Sequence, residues 1–177
     1  MTARAEPKLA VRPFLAGDTP VLSAIFRAAI EELTEDDYNP AQQDAWAATA
    51  DDEELFGERL AAQLTVIATL EGSPVGFISL KDGSSIDLLY VHPAVAGQGV
   101  GSTLYDAIER LAASRGAAQL TVEASDTARE FFQSRGFTAE QRNTTLVGNE
   151  WISNTSMKKH LPGPAPCGSS SNLRVSP

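Results

Sequence analysis

The chain has 177 residues, 42% of them apolar, and its 23 acidic side chains against 14 lysines and arginines give a formal charge of −9. That composition suits one globular domain with a sizeable core and supplies no basic stripe for nucleic acid. No run of about 18 apolar residues offers a membrane span, Met1-Thr-Ala-Arg-Ala-Glu lacks the apolar segment of a secretory leader, and the single cysteine, Cys167, forms neither an internal disulfide nor a zinc site; the expectation is a soluble, cytoplasmic protein that binds no metal.

Taken in order, residues 1–7 read as a frayed end, and Leu9 to Leu15 as a first strand that Pro13 ends or confines to an edge. Asp18 reads as a helix cap ahead of Pro20, with Leu22, Ile25, Phe26, Ala29, Ile30 and Leu33 on one helical face. An acidic loop follows, and Asn39-Pro40 opens a second helix that runs to Ala50, with a further helical segment from Asp51 to Gln63. Tyr38 and Trp46, beside the acidic loop, either line a cleft for an amine or pack beneath the helix. Residues 64–70 and 74–80 flank Glu71-Gly-Ser as a hairpin, and Asp82-Gly83 turns into a strand over 86–92, giving an antiparallel meander. Val100, Leu104, Ile108 and Leu111 then repeat at helical spacing as far as Arg115-Gly116. The next strand, Ala118 to Ala124, is parallel to 86–92 because a helical crossover joins them. Asp126 caps a short helix that stops at Arg135-Gly136, and two strands over about 137–146 and 150–159 close the domain around Val147-Gly-Asn149. The domain spans 8–160, and the Pro/Gly/Ser-rich segment 161–177 is predicted to be disordered.

The most informative stretch is 86–104, where a β-compatible run ends at Pro93, glycines stand at 97, 99 and 101, and a helix begins at once. Glycines let successive backbone N–H groups face one concavity, and the helix N-terminus adds its free donors and positive dipole end, which together make a cradle for a phosphate. A Walker loop would need a lysine near Gly101, which is followed by Ser102, Thr103 and Leu104. A dinucleotide fingerprint would need two residues between its second and third glycines, and Gly99-Val100-Gly101 leaves one.

The pattern resembles the acyl-CoA pyrophosphate loop of the GNAT acetyltransferase superfamily, Gln/Arg-x-x-Gly-x-Gly/Ala after Val-x-Pro: Val91, Pro93, Gly99 and Gly101 match, and Ala96 takes the first position. A second GNAT motif, Asn-x-x-x-x-Ala-x-x-Phe-Tyr-x-x-x-Gly-Phe, is matched over 123–137 at Ala128, Phe131, Gly136 and Phe137, with Glu123 in place of the asparagine and Phe132 in place of the tyrosine. The segments 38–47 and 149–158 are similar to a bacterial subgroup of small members. The resemblance implies the GNAT acyl-CoA N-acyltransferase fold, an α/β (α+β) architecture with a mixed, mostly antiparallel sheet of about seven strands in the order β-α-α-βββ-α-β-α-ββ. It further implies direct transfer of an acetyl group from acetyl-CoA to a primary amine of a small molecule or peptide, by a monomer or homodimer and without a metal.

In that resemblance the pantetheine arm bonds backbone groups of Leu89, Tyr90 and Val91. The pyrophosphate is held by N–H groups of Gly97, Gln98, Gly99, Val100, Gly101 and Ser102, and Phe131 and Phe132 wall the cofactor. An alkyl amine is only on the order of one part in a thousand neutral at pH 7, so a base is needed. Asp87, which strict alternation puts on the face of Leu89 and Val91, or Glu123 on the next strand can serve; surface pairing and helix capping are their structural alternatives, and a bulge would reverse the facing of Asp87. Phe132 has no hydroxyl with which to protonate departing coenzyme A. Tyr90 or Tyr38 can substitute for it or can simply pack, and His92 reads as structural. A non-catalytic acyl-CoA-binding module is the alternative function, motivated by Ala96 and Phe132.

Overall fold

Two Xaa-Gly turns organise the middle of the sheet. Glu71 and Gly72 sit at φ 50° and 86°, and Asp82 and Gly83 at 51° and 75°, left-handed pairs that let a tight turn follow strand twist; the first closes a two-residue hairpin and the second, with Ser84, a three-residue one. In the computed structural model, which describes residues 6–163, these turns join β2 (Leu64–Leu70), β3 (Ser73–Lys81) and β4 (Ser85–Val91). The remaining strands are β1 (Leu9–Pro13), β5 (Gln119–Ser125), β6 (Thr138–Val147) and β7 (Glu150–His160), and the sheet order is β1-β2-β3-β4-β5-β7-β6. Every pairing is antiparallel except β4 with β5. This is the expected mixed seven-stranded sheet, with β1 and β6 at its edges.

Helices cover both faces. On one lie α1 (Thr19–Leu33), α2 (Pro40–Ala47) and α3 (Glu53–Ala62), so three helices precede the meander, as the chain-order reading expects, where the order implied by the resemblance has two. Asn39 caps α2 reciprocally with Gln42: each side-chain oxygen accepts the other's backbone N–H at 2.9 Å. Leu22, Ile25, Phe26 and Ile30 of α1 pack with Phe77 and Leu88 of the sheet. On the other face, α4 (Val100–Ser114) and α5 (Arg129–Ser134) bury Leu104, Tyr105, Ile108 and Phe132 against Ile78, Leu120 and Met157. The start of α4 comes very close to β3 at Gly76, where an added Cβ would lie 2.9 Å from the Tyr90 carbonyl oxygen and 3.2 Å from both Val100 and Leu104. That contact sets the depth at which the helix N-terminus meets the sheet.

Three local expectations are corrected. Asp18 does not cap α1, because its carboxylate accepts two hydrogen bonds from Arg12 at 2.8 Å and another from the Leu15 N–H. Asp126 does not cap α5, because Arg142 of β6 claims both of its oxygens; Ser125 Oγ accepts the Ala128 N–H instead, and the helix begins at Arg129. In each case a strand arginine, charged and bonding both carboxylate oxygens, takes the place of a helix N–H, which offers one uncharged donor. Leu161 is not part of a loose tail, since it is buried in the core and donates its N–H to Ala118. The readings of 1–5 as frayed and 164–177 as disordered fall outside the described residues. Among the described residues no helix is long and apolar enough to cross a membrane.

Candidate active site

Strands β4 and β5 pair only at Ser85 with Thr121 and Ile86 with Val122. Beyond those two rungs they separate, and the gap between Leu88–Val91 and Glu123–Ser125 becomes a cleft of about 370 Å³ closed by Phe26, Ala29 and Leu33 of α1 and Trp46 of α2. A bulge begins the divergence: Leu80 of β3 is opposite Ile86, the next residue, Ser79, is opposite Leu88, and Asp87 is the extra residue. The bulge reverses the alternation. Ile86, Leu89 and Val91 face the α4 core while Leu88 and Tyr90 face the α1 core, so Asp87 does not share the face of Leu89 and Val91.

Instead Asp87 meets α3, where Arg59 holds it with two bonds, Nε to Oδ2 at 2.7 Å and Nη2 to Oδ1 at 2.8 Å, and Gln63 donates to Oδ2 at 2.8 Å. Burial pushes the Asp87 carboxyl up, but the bonds from Arg59 and Gln63 and the guanidinium charge outweigh it and hold the group below the usual carboxylate range. A carboxylate so paired is a weak proton acceptor. Glu123, on the exposed edge of the cleft, pairs with no cation among the described residues. Ser156 Oγ donates to it, lying 2.8 Å from Oε1 and 2.9 Å from Oε2, and Asn143 Nδ2 donates to Oε2 at 3.0 Å.

The backbone of β4 turns its polar groups to the cleft. His92 donates its N–H to Val75 of β3 at 2.8 Å. Antiparallel alternation therefore directs Tyr90 to β3 and leaves the N–H and C=O of Leu89 and Val91 pointing into the gap. The His92 ring is structural as expected, its Nδ1 accepting the Ala94 N–H. The Tyr90 ring lies 4.5 Å from Phe26 and 6.4 Å from Trp46, centroid to centroid, and loss of hydration pushes its phenol well above its ordinary value.

At the C-terminal end of β4 the chain turns through a short helical turn at Pro93–Val95 into the glycine loop. Gly97 and Gly99 adopt φ 77° and 83°, and a Cβ on either would meet no protein atom within 4 Å. Among the described residues, the N–H groups of Gly97, Gly99, Val100, Gly101 and Ser102 have no acceptor within the protein, whereas that of Gln98 donates to Val95. Five of the six expected donors are thus open at the N-terminus of a 15-residue helix. Phe131 flanks this loop 3.8 Å from a Cβ built on Gly101, and Phe132 is buried with one side on the cleft.

Of the two aromatic residues near the acidic loop, Trp46 lines the cleft and Tyr38 does not. The Tyr38 hydroxyl donates to the Ser153 carbonyl at 2.7 Å and accepts the Asp126 N–H at 2.8 Å, and burial raises its phenol. It pins the loop after α1 to the ends of β5 and β7. The partners of the two carboxylates, Arg59, Gln63, Ser156 and Asn143, carried no sequence signal, because each reaches its carboxylate across 20 to 33 residues.

The family model for the acetyltransferase (GNAT) domain matches residues 34–161. The uncharacterized N-acetyltransferase YafP of Escherichia coli strain K12 is 33% identical over 148 residues, covering 84% of this chain and 93% of that protein. The crystal structure of a GCN5-related N-acetyltransferase from Rhodopseudomonas palustris is 55% identical, covers 91% of this chain and 99% of that one, and superposes with a TM-score of 0.85. The fold also matches the PaiA N-acetyltransferase of Thermoplasma acidophilum, solved in complex with coenzyme A, at 16% identity and TM-score 0.74 over 87% of this chain and 99% of that one.

Proposed function

The chain belongs to the GNAT acetyltransferase family and is an acyltransferase, and from that premise we infer that it transfers an acetyl group from acetyl-CoA directly to a primary amine of a small molecule or peptide. The observation that carries this reading is the set of five open N–H groups at the start of α4, directly beside the splay of β4 and β5. In a chain of charge −9, a diphosphate has to be held locally, by oriented donors and a helix dipole, because the long-range field opposes it.

Acetyl-CoA supplies the activated acyl group as a thioester. Gly97, Gly99, Val100, Gly101 and Ser102 hold its diphosphate, Phe131 and Phe132 wall it, and the outward backbone groups of Leu89 and Val91 take the pantetheine arm, with the Leu89 N–H available to a developing oxyanion. Glu123 takes a proton from the acceptor's ammonium group, directly or through water, so that the neutral amine attacks the thioester carbonyl. Asp87, already occupied by Arg59, keeps α3 against the bulge. Trp46, Phe26 and Leu33 receive the acceptor's apolar part. Phe132 donates no proton, and none is essential, since a thiol of pKa about 8.5 leaves tolerably as thiolate.

Calorimetry with coenzyme A, followed by thiol release from acetyl-CoA over a panel of small primary amines and short peptides, tests the reading. Micromolar binding and turnover on at least one amine are expected. Binding without turnover on any amine would favour an acyl-CoA-binding module, and no binding would reject the reading.

A further inference from the structure

The sheet face that carries Glu123 bears a polar cluster drawn from three strands. Glu123 of β5 is the register partner of Ser156 on β7, and Asn143 of β6 is the partner of Asn154 on β7. The Asn143 amide nitrogen lies 2.7 Å from Ser156 Oγ, 3.0 Å from Glu123 Oε2 and 3.3 Å from Asn154 Oδ1. Ser156 Oγ in turn lies 2.8 and 2.9 Å from the two carboxylate oxygens.

Counting hydrogens gives this cluster one direction. An ionised carboxylate only accepts, a hydroxyl has one hydrogen to donate, and an amide nitrogen has two. Ser156 therefore gives its proton to Glu123 and accepts one from Asn143, while the second Asn143 hydrogen goes to Glu123, the nearer of its two remaining acceptors. Both donors converge on the ionised form of one exposed side chain. Charges nearby are already matched: Lys158 with Glu140, Arg142 with Asp126 and Arg59 with Asp87. The opposite face of β5, with Leu120, Val122 and Ala124, is buried in the α4 core, and the cluster is placed where Glu123, Ser125 and Asn154 border the cleft.

We propose that Ser156 and Asn143 are positioning residues that fix the Glu123 carboxylate at the cleft edge in the orientation that receives the acceptor's proton. The proposal rests on Glu123 being the base, as inferred above. The two donors fix the side chain's rotamer and leave the remaining carboxylate lone pairs open toward the cleft, so that the group meets the incoming ammonium without first reorganising. The edge strand β6 thereby contributes a positioning residue to the site.

The test compares wild type with Ser156→Ala, Asn143→Ala, Ser156→Thr and Glu123→Gln. It measures kcat and KM on an amine found active in the panel, together with carbon-13 couplings of the Glu123 side chain, which report its rotamer without substrate. Ser156→Ala and Asn143→Ala are expected to lower kcat about three- to tenfold with KM for acetyl-CoA unchanged. In both, the couplings change from those of one rotamer to averaged values, because the donors that hold the carboxylate are lost; Ser156→Thr, which keeps the hydroxyl, restores wild-type behaviour. If Glu123→Gln abolishes turnover while Ser156→Ala and Asn143→Ala keep the wild-type kcat and couplings, the positioning proposal is overturned and the base assignment stands. If Glu123→Gln keeps wild-type kcat, the base assignment fails and takes the proposal with it.

Discussion

Gly99 and Gly101 are two positions apart, yet substituting each with alanine should have opposite effects. Gly99 sits at φ 83° at the N-cap of α4, where an L-side chain costs roughly 1–2 kcal/mol. For a domain of this size each kcal/mol moves the melting temperature by about 2–4 °C, so Gly99→Ala should melt about 2–8 °C below wild type. Gly101 lies inside the first turn with no positive φ, and its new Cβ would meet Phe131 and Val91 at 3.8 Å, an ordinary contact. Helix propensity there favours alanine by up to about 1 kcal/mol, so Gly101→Ala should be as stable as wild type or slightly more so. Binding separates the pair further. Relaxing the strain at Gly99 re-aims the N–H groups around it, and each hydrogen bond to a charged group is worth about 1.5–3 kcal/mol. Losing one raises the Kd for coenzyme A by roughly ten- to a hundredfold, whereas Gly101→Ala keeps its N–H and its affinity. Differential scanning fluorimetry and calorimetry on the two variants decide the matter. Equal melting temperatures and equal Kd values would refute the argument that the left-handed turn builds the cradle.

Other consequences follow from single contacts. Tyr38→Phe leaves the Ser153 carbonyl and the Asp126 N–H without their partner and should cost about 1–3 kcal/mol in urea unfolding. Gly76→Ala forces a Cβ to within 2.9 Å of the Tyr90 carbonyl oxygen; overpacking of this kind costs about 1–3 kcal/mol, and the same variant should weaken coenzyme A binding because it lifts the N-terminus of α4. The Asp87 carboxyl is held below its ordinary value in the folded state, so its contribution is present above the unfolded value near 3.9 and disappears as pH falls through the lower folded value. Asp87→Asn should therefore destabilise the protein at pH 7, and the difference from wild type should shrink in melts below about pH 4.

Much of this architecture can be read from short-range chemistry. Asp82-Gly83 forces a hairpin because its two residues accept left-handed backbone, and the Asn39-Pro40 start of α2 depends on a cap only three residues long. The glycine loop is legible for the same reason, since spacing alone fixes Gly97, Gly99 and Gly101. What escaped the sequence depends on contacts that spacing does not encode. Strict alternation misplaced Asp87 because it cannot register one inserted residue, and the bulge is visible only against β3. Asp18 and Asp126 have the local signature of caps, but Arg12 and Arg142 take them over from neighbouring strands. In the site, the cleft-facing role of Trp46 and the pinning role of Tyr38 separate only when β7 is in place to accept the hydroxyl. The surroundings of Glu123 are assembled from β6 and β7, whose side chains become neighbours of β5 only through the final sheet order.

The central claim is that main-chain amides, in place of basic side chains, grip a diphosphate. The most direct measurement is a nitrogen-15 correlation spectrum of the full chain titrated with coenzyme A and, separately, with pantetheine, which lacks the diphosphate. The amide protons of Gly97, Gly99, Val100, Gly101 and Ser102 should move strongly downfield with coenzyme A and hardly at all with pantetheine. Saturable binding of coenzyme A that leaves those five resonances in place would contradict the account.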